Sequence, residues 1–195
     1  MKKIKLTLFA LLGLSFFLQS CVDDLDVNPE GETQLSVEEF YAQPGAYKQA
    51  LAGVYGNLSL TGTSGAESSN IGGVDPGTSQ YGRCLWYLQN LSTDEVIWSY
   101  ENDPGTREIQ RNIWNATNPV IRGMFSRATY QIALVNEYLR QTSPSVLSSR
   151  GVTDAQLLSD IELYRKESRV LRALAYYHLM DLFGKAPFVT ENDAI

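Results

Sequence analysis

The chain has 195 residues, 16 of them lysine or arginine against 22 aspartates and glutamates, for a formal net charge of −6. So acidic a chain repels a phosphate backbone, and nucleic acid is excluded as its natural partner. The length suits one domain with a sizeable core, or the first part of a larger one.

Residues 1–20 open with Lys2, Lys3 and Lys5, continue as an apolar run from Ile4 to Leu18 and end in Leu18-Gln19-Ser20 ahead of Cys21. A basic start, an apolar stretch and a small residue before the cut have the form of a signal peptide. Roughly 15 apolar residues fall short of the about 20 that span a bilayer, so cleavage is expected rather than anchoring by this segment. The cysteine makes the stretch resemble a bacterial lipobox, whose thiol takes a diacylglyceryl group before cleavage and whose new amino terminus is then acylated. By that resemblance Cys21 is the lipidation residue and outer-membrane lipid its partner; an ordinary secretory peptide with a nearby cysteine is the alternative. Cleavage would leave 175 residues with 13 basic and 22 acidic side chains.

Residues 21–35 form an acidic tether, with five acidic residues, Asn28-Pro29 and Gly31 between Val22 and Gln34 and too few apolar groups to pack. Asp23, Asp24 and Asp26 resemble the export tag of lipoproteins displayed on the outer surface of some Gram-negative bacteria, although a merely soluble linker has the same composition. With Cys21 acylated, Cys84 has no disulfide partner within the chain and is expected to be a small buried hydrophobe. The sequons at Asn57, Asn90 and Asn115 are chance matches beside a bacterial lipobox.

Residues 36–195 read as a helical domain. Ser36 and Glu39 form a capping box, so a short helix starts there and ends near Pro44-Gly45. Tyr47, Ala50, Leu51, Val54, Tyr55 and Leu58 recur at helical spacing and predict a core helix over 46–60. Thr61 to Ser79 is rich in Gly, Ser and Thr and predicts a loop of the kind that is commonly functional or mobile. Tyr81, Leu85 and Leu88, with Cys84, predict a helix over 80–91. Ser99 to Thr106, containing Asn102-Asp103-Pro104-Gly105, is a loop. Asn118-Pro119 has a cap followed by a proline at the first helical position, and an apolar face then runs to about Gln141. Ser143 to Gly151 is expected to be a loop. A long helix from Thr153 or Asp154 ends at Phe183, closed by Gly184 and Pro187. Its second half, from Val170, is apolar nearly all round and is expected to be buried on several sides. The fold class is therefore all-α, with at least four helices joined by long loops. Residues 119–183 resemble one helical pair of tetratricopeptide type, about three of which are needed for stability.

The last helix carries Glu167, Arg169, Arg172 and Ala173 as Glu-x-Arg-x-x-Arg-Ala, then Tyr176 and Tyr177, then Phe183, Gly184 and Pro187 as Phe-Gly-x-x-Pro. This resembles the signature helix of the SusD/RagB family of outer-membrane nutrient-binding lipoproteins. The lipobox, Gly53-Val54-Tyr55, the Leu91–Glu95 element and Asn118-Pro119 support the resemblance in the same order along the chain. It implies a tetratricopeptide-like helical scaffold with long loops, requiring no cofactor, that captures oligosaccharides or other nutrients at the cell surface. It also implies a TonB-dependent (SusC-like) transporter as partner, over which the lipoprotein sits as a hinged lid. Members of the family are more than twice as long, so residues 36–195 would correspond to the amino-terminal helical domain, and the family's carboxy-terminal part supplies much of the binding surface.

Tyr81, Trp86, Tyr87, Trp98, Tyr100 and Trp114 crowd one region and include all three tryptophans. Sugars offer apolar C–H faces that stack on such rings, and hydroxyls that need polar groups alongside. Trp98, Tyr100 and Asn102 lie in a polar loop, where function concentrates, and the resemblance implies glycan contacts from that loop. They are the candidate ligand-binding residues, Trp98 first; equally, these rings would serve as core or loop anchors. Arg169 and Arg172, beside Glu167, read as paired structural anchors. His178 has no second histidine or cysteine at ligand spacing, so no metal site is expected. No nucleophile elbow, zinc-binding helix or phosphate loop is present, and Asp94 and Glu95, being adjacent, usually point apart, so no enzyme is expected. A structural or adaptor lipoprotein whose helical surface binds another protein is the alternative function.

Overall fold

The computed structural model describes residues 35–64 and 67–193; the readings on residues 1–34, Cys21 among them, lie outside these. Helix covers 57% of the described residues and no strand occurs among them, so the fold is all-α. The chain divides into a unit ending at Pro44 and one running from Gly45 onward.

In the first unit, α1 (Val37–Tyr41) starts in the expected capping box: Glu39 N donates to Ser36 Oγ at 3.2 Å, and Ser36 N donates to Glu39 Oε2 at 2.8 Å. The second unit holds α2 (Ala46–Gly56), α3 (Tyr81–Asn90), α4 (Thr106–Gln110), α5 (Pro119–Gln141), α6 (Pro144–Ser149) and α7 (Ala155–Phe183). The long helices α5 and α7 run past each other in opposite directions, since Arg165 donates to Leu139 O while Arg172 donates to Asn136 Oδ1. α5 is the spine. Val120, Met124, Ala128 and Ile132 join one apolar cluster with α3 and the end of α7, and Val135, Tyr138 and Leu139 join a second with Leu51 and Val54 of α2.

The helix ends follow the capping chemistry. Asn118 Oδ1 accepts from Val120 N at 2.9 Å and Ile121 N at 3.3 Å, with Pro119 in the first turn of α5. The Asn118 amide also donates to Gly105 O at 2.9 Å, which ties the 99–105 loop to the start of the spine. Gly105 has a φ of +84°, and a Cβ there would sit 2.8 Å from Asn118 Oδ1, so this contact requires glycine. Asp154 caps α7 through Leu157 N, and Gly184 at φ +71° ends it.

Four expectations need correction. The 143–151 segment, expected to be a loop, contains α6, with Pro144 in its first turn and Leu147 buried. α4 arises in a stretch where no helix was expected, and α2 stops at Gly56 rather than near 60 because the Asn57 side chain turns inward to Gln131 Oε1 at 2.7 Å. The second half of α7 is buried on one side only: Ala175, His178 and Leu179 are enclosed, while Val170, Leu174, Tyr177 and Met180 are exposed. Among the described residues, α7 packs chiefly on α5 and α2, and no helix covers its opposite face.

The segment after α7 is strapped back across the helices. The Tyr176 hydroxyl donates to Val189 O and accepts from Val189 N, each at 2.7 Å, and Asn136 Nδ2 donates to Val189 O at 3.2 Å. Arg172 pairs with Glu191 at 2.5 Å, and Arg140 Nε donates to Glu191 O at 3.1 Å. Glu167 accepts from the Tyr55 hydroxyl of α2 at 3.1 Å. Arg172 thus holds a structural pair, while Arg169 is exposed.

Asn118→Ala removes a cap and the Gly105 tether together. It is expected to lower unfolding free energy by about 1–2 kcal/mol in urea titrations, the usual cost of a lost N-cap. His178, the chain's single histidine, lies 2.8 Å through Nδ1 from the Tyr81 hydroxyl, and burial lowers its pKa while Asp181 partly opposes the shift. The unfolded chain therefore takes up a proton near pH 6.5 that the folded chain resists. Stability should be whole above that pH and fall below it. An NMR titration of the one imidazole should give a midpoint below 6.5, and His178→Gln should flatten the loss of thermal stability between pH 7 and 5.

Candidate ligand-binding surface around Trp98

α3 places two faces. Tyr81, Cys84 and Tyr87 turn into the core, while Arg83, Trp86 and Tyr87 share a stripe at i, i+3 and i+4. The helix is started by Gln80, whose Oε1 accepts from Arg83 N at 2.7 Å and whose Nε2 donates to Leu58 O at 2.8 Å. Arg83 lays its guanidinium carbon 5.6 Å from the centre of the Tyr87 ring and 6.0 Å from that of Trp98, within cation–π reach, and its Nη1 donates to Gly77 O.

Trp98 is the hub of the surface. Its ring lies 5.1 Å from Tyr87, 5.9 Å from Trp86 and 5.8 Å from Tyr100, all tilted or edge-on, the arrangements favoured by ring quadrupoles. Its indole Nε1 donates to Asp103 Oδ2 at 3.1 Å and its backbone N to Gln110 Oε1 at 3.3 Å. Trp98 is consequently half-buried and held in place, and the open rings are its neighbours: Trp86 is 40% and Tyr100 69% exposed. Asp103 in turn shapes the turn it sits in, since Thr106 Oγ1 donates to Asp103 O at 2.9 Å. Asn102, next to it, is exposed, with no side-chain hydrogen bond among the described residues.

Of the aromatic residues picked out in the sequence, Trp86, Tyr87, Trp98 and Tyr100 come together. Tyr81 goes elsewhere, to His178, and Trp114 stands at the rim of a separate cleft of about 490 Å³ with Leu88, Ile121, Leu182 and Phe183. Sequence reasoning missed Arg83 and Asp103. The first was legible as the residue one turn before Trp86 and Tyr87; the second sits in the Asn-Asp-Pro-Gly turn beside a tryptophan that needs an acceptor.

Beneath the surface, Cys84 is fully enclosed, and burial pushes its thiol up to about 12, with Arg127 and Arg83 pulling the other way. It is a packing residue, chemically inert in the fold. Among the described residues, no group of three or more His, Cys, Asp and Glu stands close enough to hold a metal ion. The arrangement offers flat apolar rings flanked by the Arg83 guanidinium and the Asp103 carboxylate. Rings of this kind have the chemistry to stack on the C–H face of a polyhydroxylated molecule.

No model of a known protein family matches the chain. The starch-binding protein SusD of Bacteroides thetaiotaomicron is 32% identical to it over 177 residues, which cover 90% of this chain and 29% of SusD. The chain thus spans less than a third of the length of that curated relative. Over nine-tenths of its length the chain is thus similar to SusD, of the family whose signature the α7 motif resembles.

Proposed function

We propose that the Trp98 surface binds glycan chains, with starch-type α-glucans as the first candidates and other oligosaccharides or nutrients as the wider class. The observation that carries this reading is the contact of two open rings, Trp86 and Tyr100, with a fixed Trp98, with Arg83 alongside. Open rings at fixed tilt receive the C–H faces of successive sugars, while Arg83 and Asn102 serve their hydroxyls. The similarity to a protein named for starch binding supports the same choice. In this reading Cys21 carries the acyl chains that hold the protein stably in the outer membrane, facing the exterior on its acidic tether, since more than one chain is needed for lasting attachment. The helices form a tetratricopeptide-like scaffold that hands ligand to a TonB-dependent, SusC-like transporter, and the protein performs no chemistry of its own.

A second reading, a helical adaptor that binds a protein partner, draws on the exposed apolar side chains of α7, Val170, Leu174, Tyr177 and Met180. Electrophoresis through native gels containing amylopectin separates the two. The parent chain should be retarded, and Trp86→Ala and Tyr100→Ala should each weaken binding five- to tenfold, corresponding to roughly 1 kcal/mol of stacking per ring. Trp98→Ala should abolish it. An unretarded parent, in amylopectin and in gels of other glucans, would retire the glycan reading in favour of the adaptor. Mass spectrometry of the membrane-bound protein should find Cys21 acylated at the mature amino terminus, whereas release to the medium without lipid would sink the anchor.

A further inference from the structure

Arg127 is a buried cation with an unusual set of partners. It lies on α5, wholly removed from solvent, and its guanidinium meets neutral acceptors: Nε donates to Ser79 O at 2.8 Å, Nη1 to Thr61 O at 3.0 Å, and Nη2 to Ser69 Oγ and Ser79 Oγ at 3.2 Å each. No carboxylate pairs with it among the described residues. Enclosing a charge without an opposite charge is costly, and burial lowers its pKa accordingly. An apolar side chain of similar volume would fill the space without that cost, so what the arginine adds is its fork of fixed, directional donors.

All four acceptors belong to one segment. They come from its two ends, Thr61 and Ser79, and from Ser69 between them, so the fork draws the ends together and closes the segment's neck onto α5. Ser79 immediately precedes Gln80, the cap of α3. One turn earlier on α5, Gly123 lets the same point approach closely: a Cβ there would lie 3.2 Å from Cys84 Sγ and 3.6 Å from Ser79 Cβ. The first turn of α3 is therefore seated between Gly123 and Arg127. That turn carries Arg83, which grips Gly77 O of the same segment and faces the Tyr87 and Trp98 rings.

We propose that Arg127 is a positioning residue for the Trp98 surface: by fixing Ser79 and the neck of the 61–79 segment it sets the pose of Arg83 and the neighbouring rings, and makes Gly77 part of the site's wall. Its consequence for affinity rests on the glycan-binding reading; the pose itself does not. The two therefore fail separately.

The test uses the full chain with Trp114→Phe, which leaves Trp86 and Trp98 as its two indoles. Their tilted contact at 5.9 Å should give an exciton couplet in circular dichroism. Arg127→Met and Arg127→Lys should keep the helix signal and cooperative melting yet lose at least half of the couplet, with lysine no better than methionine because a point charge cannot reproduce the fork. Binding in amylopectin gels should weaken at least fivefold. A folded Arg127→Met chain with an unchanged couplet would overturn the proposal, and so would a lysine variant that restores it in full. Should both variants fail to fold, Ser69→Ala combined with Ser79→Ala removes the two hydroxyl acceptors and leaves the carbonyl bonds. A partial loss of couplet is then expected, and an unchanged couplet overturns the proposal. A parent chain that shows the couplet but no retardation would sink the glycan reading while the couplet still judges Arg127.

Discussion

A polar side chain taken out of water must find its partner inside the fold, and α5 takes three of them inside: Arg127 and Gln131 at 0% exposure and Asn136 at 2%. Each reaches a different piece of irregular chain. Arg127 holds the neck of the 61–79 segment; Gln131 donates to Val54 O at 3.1 Å and accepts from Asn57 where α2 ends; Asn136 holds Val189 and Arg172 where the chain returns after α7. Apolar packing alone would let these segments slide, because it has no direction. Unmade hydrogen bonds at such depth are costly, so the polar line along the spine selects one placement for each junction.

The same line explains which parts of the fold are legible in the sequence. The long helices are, since Asn118-Pro119 and Asp154 supply start signals and the apolar spacing runs for several turns behind each. Arg127, Gln131 and Asn136 interrupt that spacing with polar side chains; only their partners, 36 to 77 positions away in sequence, show them to be inside. Ser143-Pro144 carries nearly the same start signal as Asn118-Pro119, yet the six residues of α6 are too few for a periodic stripe to confirm it. The second half of α7 errs in the opposite direction. Composition reports how much apolar surface a helix has, whereas burial depends on what lies against it, and Val170, Leu174 and Tyr177 have no covering element among the described residues.

At the Trp98 surface, the density of aromatic residues is visible in the chain, but their division of labour is not. Trp98 and Tyr100 stand two positions apart in one loop and have different surroundings: Trp98 is half-buried against Tyr87, Trp86 and Asp103, and Tyr100 is left open. Which ring is fixed and which is left open is decided by α3, a helix that no local feature of the loop predicts to be its neighbour. Arg83 belongs to the site for the same reason. Its distance from Trp98 is a property of the fold, set where α3 meets α5.

The α7 motif and the Trp98 surface are separate parts of the molecule. Glu167 reaches Tyr55 on α2, Arg172 reaches Asn136 and Glu191, Tyr176 clamps Val189, and Gly184 ends α7 in the left-handed conformation that favours glycine. These are fastenings of α2, α5 and the returning strap, and none of these bonds involves the rings around Trp98. The motif therefore constrains the scaffold and leaves residues 83–103 outside its bonds. The two parts join through α5. Its carboxy-terminal half is held by Arg172 of α7 through Asn136, and its amino-terminal half seats α3 through Gly123 and Arg127, so the pose of the rings is set by the same helix that Arg172 holds.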